Sequence, residues 1–176
     1  MSDQTLAADV NAVARLTGTF ELRSGQIASE YFDKYRFEAD PALLRRVAAR
    51  MLTLLPAGAD VLAGLELGGV PIATAMSLAS GLPAVFVRKQ AKAYGTRRAV
   101  EGGDVAGRRV VLVEDVITTG GAVGEAARLV REAGGEVVAV VCAIWRGEGP
   151  PAIGSLPALP VAAAVTREDL DRAGAA

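Results

Sequence analysis

The 176-residue sequence contains no histidine, and this absence excludes more chemistry than any other single feature. It removes imidazole acid–base pairs, Ser-His-Asp triads and zinc sites of the His-x-x-x-His type. A lone cysteine excludes an internal disulfide, and Cys142 lies within the apolar run 137–145, where it reads as packing rather than as a nucleophile. Charge of either sign is not in excess: nineteen Lys plus Arg against twenty Asp plus Glu give −1. There is thus no overall basic field of the kind that drives nonspecific nucleic-acid binding, and any cationic site is local. No apolar stretch approaches the roughly 18–20 residues that span a bilayer, so no membrane insertion is expected. The polar start, Met1-Ser2-Asp3-Gln4-Thr5, lacks the basic, then apolar, then small-residue pattern of a secretory signal, and a cytoplasmic location is expected. Neither Gly-x-x-x-x-Gly-Lys-Ser/Thr nor a Gly-x-Gly-x-x-Gly after a strand occurs, which disfavours NTP hydrolysis and dinucleotide binding.

What is present is a chain with 51% hydrophobic and 22% charged residues, enough for one globular domain over 1–176. Apolar residues at helical spacing predict helices over 5–16 and 41–55, the second with Pro41 in its first turn. Between them, 19–22 and 31–37 read as two short strands joined by a Ser24-Gly25 turn. From residue 60 the pattern changes. Apolar runs 61–65, 84–87, 110–113 and 137–144 alternate with helical segments 71–79 and 121–133 and with a polar loop after 87. Runs apolar on both faces that alternate with helices predict an α/β fold with a central, mostly parallel sheet covered on both sides. In such a sheet, ligands bind at the C-terminal ends of the strands. The expected layout is an N-terminal segment over about 1–40, a core over about 41–150, and a C-terminal strand and helix over 151–176, with Thr166 as the last helix's N-cap.

The informative stretch is Val110-Val111-Leu112-Val113-Glu114-Asp115-Val116-Ile117-Thr118-Thr119-Gly120-Gly121-Ala122-Val123. It reads as a buried strand, a carboxylate pair at its end, and a Thr- and Gly-rich turn into a helix. Such a turn aims several backbone N–H groups and two hydroxyls at one phosphate, and the helix N-terminus adds partial positive charge. Glu114 and Asp115 would repel a bare phosphate but accept hydrogen bonds from hydroxyls carried beside it. A sugar phosphate meets both conditions. After the strand at 84–87 come five basic residues, Arg88, Lys89, Lys92, Arg97 and Arg98, with no acidic one before Glu101. Beside a sugar-phosphate turn, that run reads as a lid whose charges match a departing pyrophosphate. Arg45, Arg46 and Arg50 lie opposite the apolar stripe of the second helix and are expected to face solvent.

These residues resemble the type I phosphoribosyltransferases, whose hallmark is this strand, acidic pair and turn binding phosphoribosyl pyrophosphate (PRPP). Other segments resemble the family's orotate-using branch. Phe20-Glu21-Leu22-Arg23-Ser24-Gly25 is similar to its N-terminal hood over the base, 64–73 to its pyrophosphate-binding turn, and 86–95 to its mobile catalytic loop. Arg146 is similar to the arginine that contacts orotate. The resemblance covers roughly 16–147 and implies transfer of the phosphoribosyl group from PRPP to orotate, giving orotidine 5'-monophosphate and pyrophosphate for pyrimidine synthesis. It implies Mg2+, held mainly through the substrate with no direct protein ligand, and a homodimer sharing active sites. It assigns Arg88, Lys92 and Asp115 to catalysis. PRPP would be held by Arg88, Lys89, Lys92, Tyr94, Glu114, Asp115, Val116, Ile117, Thr118, Thr119, Gly120, Gly121 and Ala122, and orotate by Arg23, Tyr31, Phe32, Thr118 and Arg146. Four positions differ from the better-known pattern: Arg23 and Glu114 replace a lysine and an aspartate, Gly68 stands where lysine is frequent, and Tyr94 where histidine is common. Two further readings stay open: a phosphoribosyltransferase for another base, such as a purine or uracil, and a nonenzymatic PRPP sensor.

Overall fold

The computed structural model describes residues 3–21, 25–90 and 98–174. The chain opens with helix α1 (Asp3–Ala14), which runs directly into an antiparallel hairpin of β1 (Arg15–Glu21) and β2 (Ile27–Phe32). This hairpin is a two-stranded sheet of its own, with Arg15 opposite Phe32 and Glu21 opposite Ile27. The second strand expected over 31–37 is corrected: it ends at Phe32, and Tyr35–Ala39 forms a short helix, α2. Asp33 accounts for the change, because its Oδ1 accepts from the Tyr35 N–H at 3.2 Å and turns the chain. The turn carries Phe37 into the core, where it is wholly buried. Helix α3 (Pro41–Leu52) follows, capped by Asp40, whose carboxylate accepts from the Ala42 and Leu43 N–H groups.

The remainder alternates strands and helices as the apolar runs predict: β3 (Val61–Leu65), α4 (Gly69–Ser80), β4 (Ala84–Val87), a two-residue β5 (Val100–Glu101), β6 (Arg109–Ile117), α5 (Gly121–Glu132), β7 (Glu136–Trp145), β8 (Val161–Thr166) and α6 (Arg167–Gly174). Six of these strands form one sheet in the order β5-β4-β3-β6-β7-β8, parallel except for β5 at the edge. Both faces are covered. One core gathers α1, α3 and α4 with Phe37 of α2 against Val111, Val113 and Val141; the other packs Val123, Ala127 and Val130 of α5 against Val110, Leu112 and Val140. Cys142 is buried in the second, as a packing residue should be. Thr166 caps α6 reciprocally: its Oγ1 accepts from the Asp169 N–H, and Asp169 Oδ2 accepts from the Thr166 N–H. Arg46 departs from the expected solvated face, since its guanidinium pairs with Asp9 of α1 at 2.7 Å.

Candidate active site

Strand β6 extends to Ile117, four residues past the apolar run, so Glu114 and Asp115 lie inside the strand rather than at its end. Successive strand residues face opposite sides of a sheet, and the pair divides accordingly. Glu114 lines a cleft of about 90 Å3 with Glu66, Arg88, Lys89, Ala122 and Glu125. Asp115 lies on the other side, against the turn between β3 and α4, where a Cβ added to Gly68 would sit 1.6 Å from its Oδ2. A larger recess, about 620 Å3, lies by the sheet edge between Arg98, Asp104 and Glu132, away from the Thr118–Gly120 turn. Glu114, Arg88, Lys89 and Ala122, named from the sequence, gather at the smaller cleft.

At the end of β6, Thr118 and Thr119 are exposed and Gly120 is buried with φ of 79°. That left-handed conformation suits glycine, and a Cβ there would also press on Ile153 at 2.8 Å. Gly121 starts α5 with no side chain capping it, so its first-turn N–H groups are available to an anion along with the two hydroxyls. Arg88 and Lys89 follow β4 on the same side of the sheet and reach the Glu114 cleft. Arg23, Lys92 and Tyr94 lie outside the described residues.

A second group forms where the hairpin meets the sheet. The Arg146 guanidinium lies 5.5 Å from the centre of the Phe32 ring, a cation–π contact. The Arg146 N–H donates to the Ile117 carbonyl at 2.8 Å, which fixes the residue next to Thr118. Tyr31, half exposed, stacks at a tilt on Phe20 with ring centres 5.6 Å apart. Phe32, Thr118 and Arg146 are thus brought together, with Tyr31 on the neighbouring position of the hairpin.

Lys34 and Glu38 joined no sequence-based site assignment, yet both stand beside Asp115. Lys34 Nζ lies 2.5 Å from Asp115 Oδ2, and Glu38 is nine-tenths buried. Their signal was a lysine and a glutamate four apart, one helical turn, hidden within a segment that alternates like a strand. Burial, then the charge of Asp115 and a hydrogen bond with it, pushes the Glu38 carboxyl up to about 8. Burial and the same neighbour push Glu114 up to about 8 as well. Burial opposes the Lys34 charge, but the contact with Asp115 outweighs it and raises the ammonium above its ordinary value.

A stability dependence on pH follows, with a definite sign. Carboxyls raised in the folded state from an ordinary 4.5 to about 8 contribute stability that is full below about 4.5 and lost as pH rises through 8. Thermal melting of the protein alone is expected to fall between about pH 5 and 8, and Glu38→Gln to flatten that fall. Parallel profiles for parent and variant would count against the raised Glu38.

A family model for the phosphoribosyl transferase domain matches residues 36–155. The chain is similar to an orotate phosphoribosyltransferase of Nocardioides sp. strain JS614, with 63% identity over 174 residues, 97% of this chain and 96% of the relative. Among solved structures, it is similar to Mycobacterium tuberculosis H37Rv orotate phosphoribosyltransferase in complex with Fe(III) dicitrate, with a TM-score of 0.82 and 35% identity over 96% of this chain and 98% of that one. The same M. tuberculosis enzyme in complex with 5-phospho-alpha-D-ribosyl 1-diphosphate aligns with a TM-score of 0.77 and 30% identity, over the same shares of both chains.

Proposed function

The chain belongs to the phosphoribosyltransferase family, and within it we propose that it is an orotate phosphoribosyltransferase, forming orotidine 5'-monophosphate and pyrophosphate from orotate and PRPP. The observation that carries the choice of base is Arg146: an exposed cation stacked on Phe32 beside Thr118, suited to an acidic planar ring. A neutral purine or uracil would leave that guanidinium without an anionic partner.

In this reading the 5-phosphate rests on Thr118, Thr119 and the N–H groups of Gly120, Gly121 and Ala122, with Val116 and Ile117 setting the height of the turn. Glu114 accepts from the ribose hydroxyls and, in its ionised form, favours the positive charge that develops on the sugar as its bond to pyrophosphate breaks; Asp115 acts from the opposite side of the strand. Arg88 and Lys89 neutralise the leaving pyrophosphate, joined by Lys92 and Tyr94 of the following segment. Phe32 and Tyr31 flank orotate, to which the resemblance also assigns Arg23; its ring nitrogen, giving its proton to water, bonds to C1 of the ribose as the C1–pyrophosphate bond breaks. Magnesium fits this site as an ion carried by the substrate. Among the described residues, no three of His, Cys, Asp and Glu gather to hold a metal, and magnesium keeps waters and takes phosphate oxygens readily. When bound with the substrate, magnesium would supply charge neutralisation to the pyrophosphate, while Glu114 would hold the ribose hydroxyls beside it.

The family resemblance also supports a homodimer in which the basic segment after Lys89 reaches the neighbouring subunit's site, and a cytoplasmic location. Among the described residues, no helix is long and apolar enough to cross a membrane. The deciding assay supplies PRPP and magnesium and follows orotate by ultraviolet absorbance, with uracil, hypoxanthine and adenine in parallel. Magnesium-dependent loss of orotate alone is expected. Turnover of another base instead would move the chain to a different branch, and PRPP binding without turnover would make it a sensor.

A further inference from the structure

Asp115 is 1% exposed, the least of the charged side chains among the described residues. A carboxylate removed from water this far takes up a proton unless a cation or several donors hold its charge. The backbone gives it one donor, the Val116 N–H on Oδ1 at 2.5 Å. The charge on Oδ2 is met by Lys34 Nζ, also at 2.5 Å. Glu38 is buried beside it, and its Oε1 has no donor. Burial first, then the neighbouring Asp115, favours the protonated form of Glu38. The groups acting electrostatically on this cluster are Asp33, Lys34, Tyr35 and Glu38 from the chain after β2, and Glu114 and Asp115 from β6, Glu114 acting across the strand. Gly68, which lies against Asp115, brings no side chain of its own.

We propose that Lys34 is a positioning residue for Asp115: its ammonium, 2.5 Å from Oδ2, holds the buried carboxylate in place, and Glu38, buried beside the pair, closes that side of it. This rests on the reading of the site as one that binds PRPP. The segment that supplies both residues also ends the hairpin bearing Phe32, so base-side and sugar-side elements are tied at one carboxylate. Without Lys34, the Asp115 carboxylate loses the cation that holds its Oδ2 and with it its aim opposite the sugar. Without an ionisable group at 38, the site loses a proton that it would otherwise release near pH 8.

The test uses the full chain as Lys34→Met, Lys34→Arg and Glu38→Gln. It measures PRPP binding by calorimetry, KM for both substrates and kcat between about pH 6 and 9, and melting temperature. Lys34→Met is expected to weaken PRPP binding about tenfold while orotate KM moves less than about threefold. Lys34→Arg should restore most of the affinity, and Glu38→Gln should leave it near the parent at about pH 6.5 while reducing its change around pH 8. PRPP affinity within twofold of the parent for Lys34→Met would overturn the proposal. So would equal rises in both KM values that track a lower melting temperature. A parent that binds no PRPP and turns over no orotate would remove the functional reading itself; an active parent with unaffected variants removes only this inference.

Discussion

Gly68→Ala is expected to lower kcat/KM for PRPP about a hundredfold, although it adds a single methyl group. A Cβ at this position lies 1.6 Å from Asp115 Oδ2, 2.3 Å from its Cγ and 2.9 Å from its Cβ, so the whole carboxylate is in the way. Asp115 has little freedom to yield, since Oδ1 is held by the Val116 N–H and Oδ2 by Lys34. The alternative is movement of the turn that joins β3 to α4, which carries Glu66 of the Glu114 cleft on its other end. Either response displaces a charged group of the site by an amount of order 1 Å, and displacements of that size cost about two orders of magnitude when charge placement carries the rate. Strain from overpacking should also lower stability by roughly 1–3 kcal/mol. Steady-state kinetics with both substrates, together with thermal melting, check this: wild-type kcat/KM for PRPP in Gly68→Ala would mean that Asp115 is free to swing aside. The same contact bears on the departure at this position, because a lysine there would meet Asp115 with its own Cβ.

The covered parallel sheet was legible because its strands are apolar on both faces and separated by helices of clear period, as at 110–113 and 121–133. The strand, turn and helix of 110–133 were legible for a similar reason: order along the chain is order in space from Val110 to Val123. What failed was local. The aromatic content of 31–37 and the alternation of Tyr35 and Phe37 with Lys34 and Arg36 read as a strand, but the Tyr35 N–H donating to the Asp33 carboxylate starts a helix instead. That misreading concealed Lys34 and Glu38, whose approach to Asp115 depends on the turn. Adjacency concealed a second fact. Glu114 and Asp115 read as one acidic pair, whereas continuation of β6 through Ile117 sends them to opposite faces. The pairing of Arg46 with Asp9 joins helices 37 positions apart, and no period within either helix encodes it.

The choice of base is open to a test of comparable size. Arg146→Ala is expected to raise the orotate KM about a hundredfold and leave the PRPP KM within about threefold. The guanidinium follows the last residue of β7, with its backbone bonded to Ile117 and its side chain over the Phe32 ring, so truncation removes a charged contact without touching the phosphate turn. Loss of a charge-assisted, paired hydrogen bond to an anion accounts for about 2–3 kcal/mol, which is the factor named. Arg146→Lys should recover only a small part of the loss: an ammonium supplies charge but neither the planar fork nor the same stacking on Phe32. Phe32→Leu should act in the same direction and more weakly, since it keeps the cation and removes its platform. A rise in PRPP KM that matches the rise for orotate would place Arg146 on the sugar phosphate rather than the base. A fall in orotate KM for Arg146→Lys would show that charge alone selects the base, and the stacking geometry of Phe32 would then have no part in the choice.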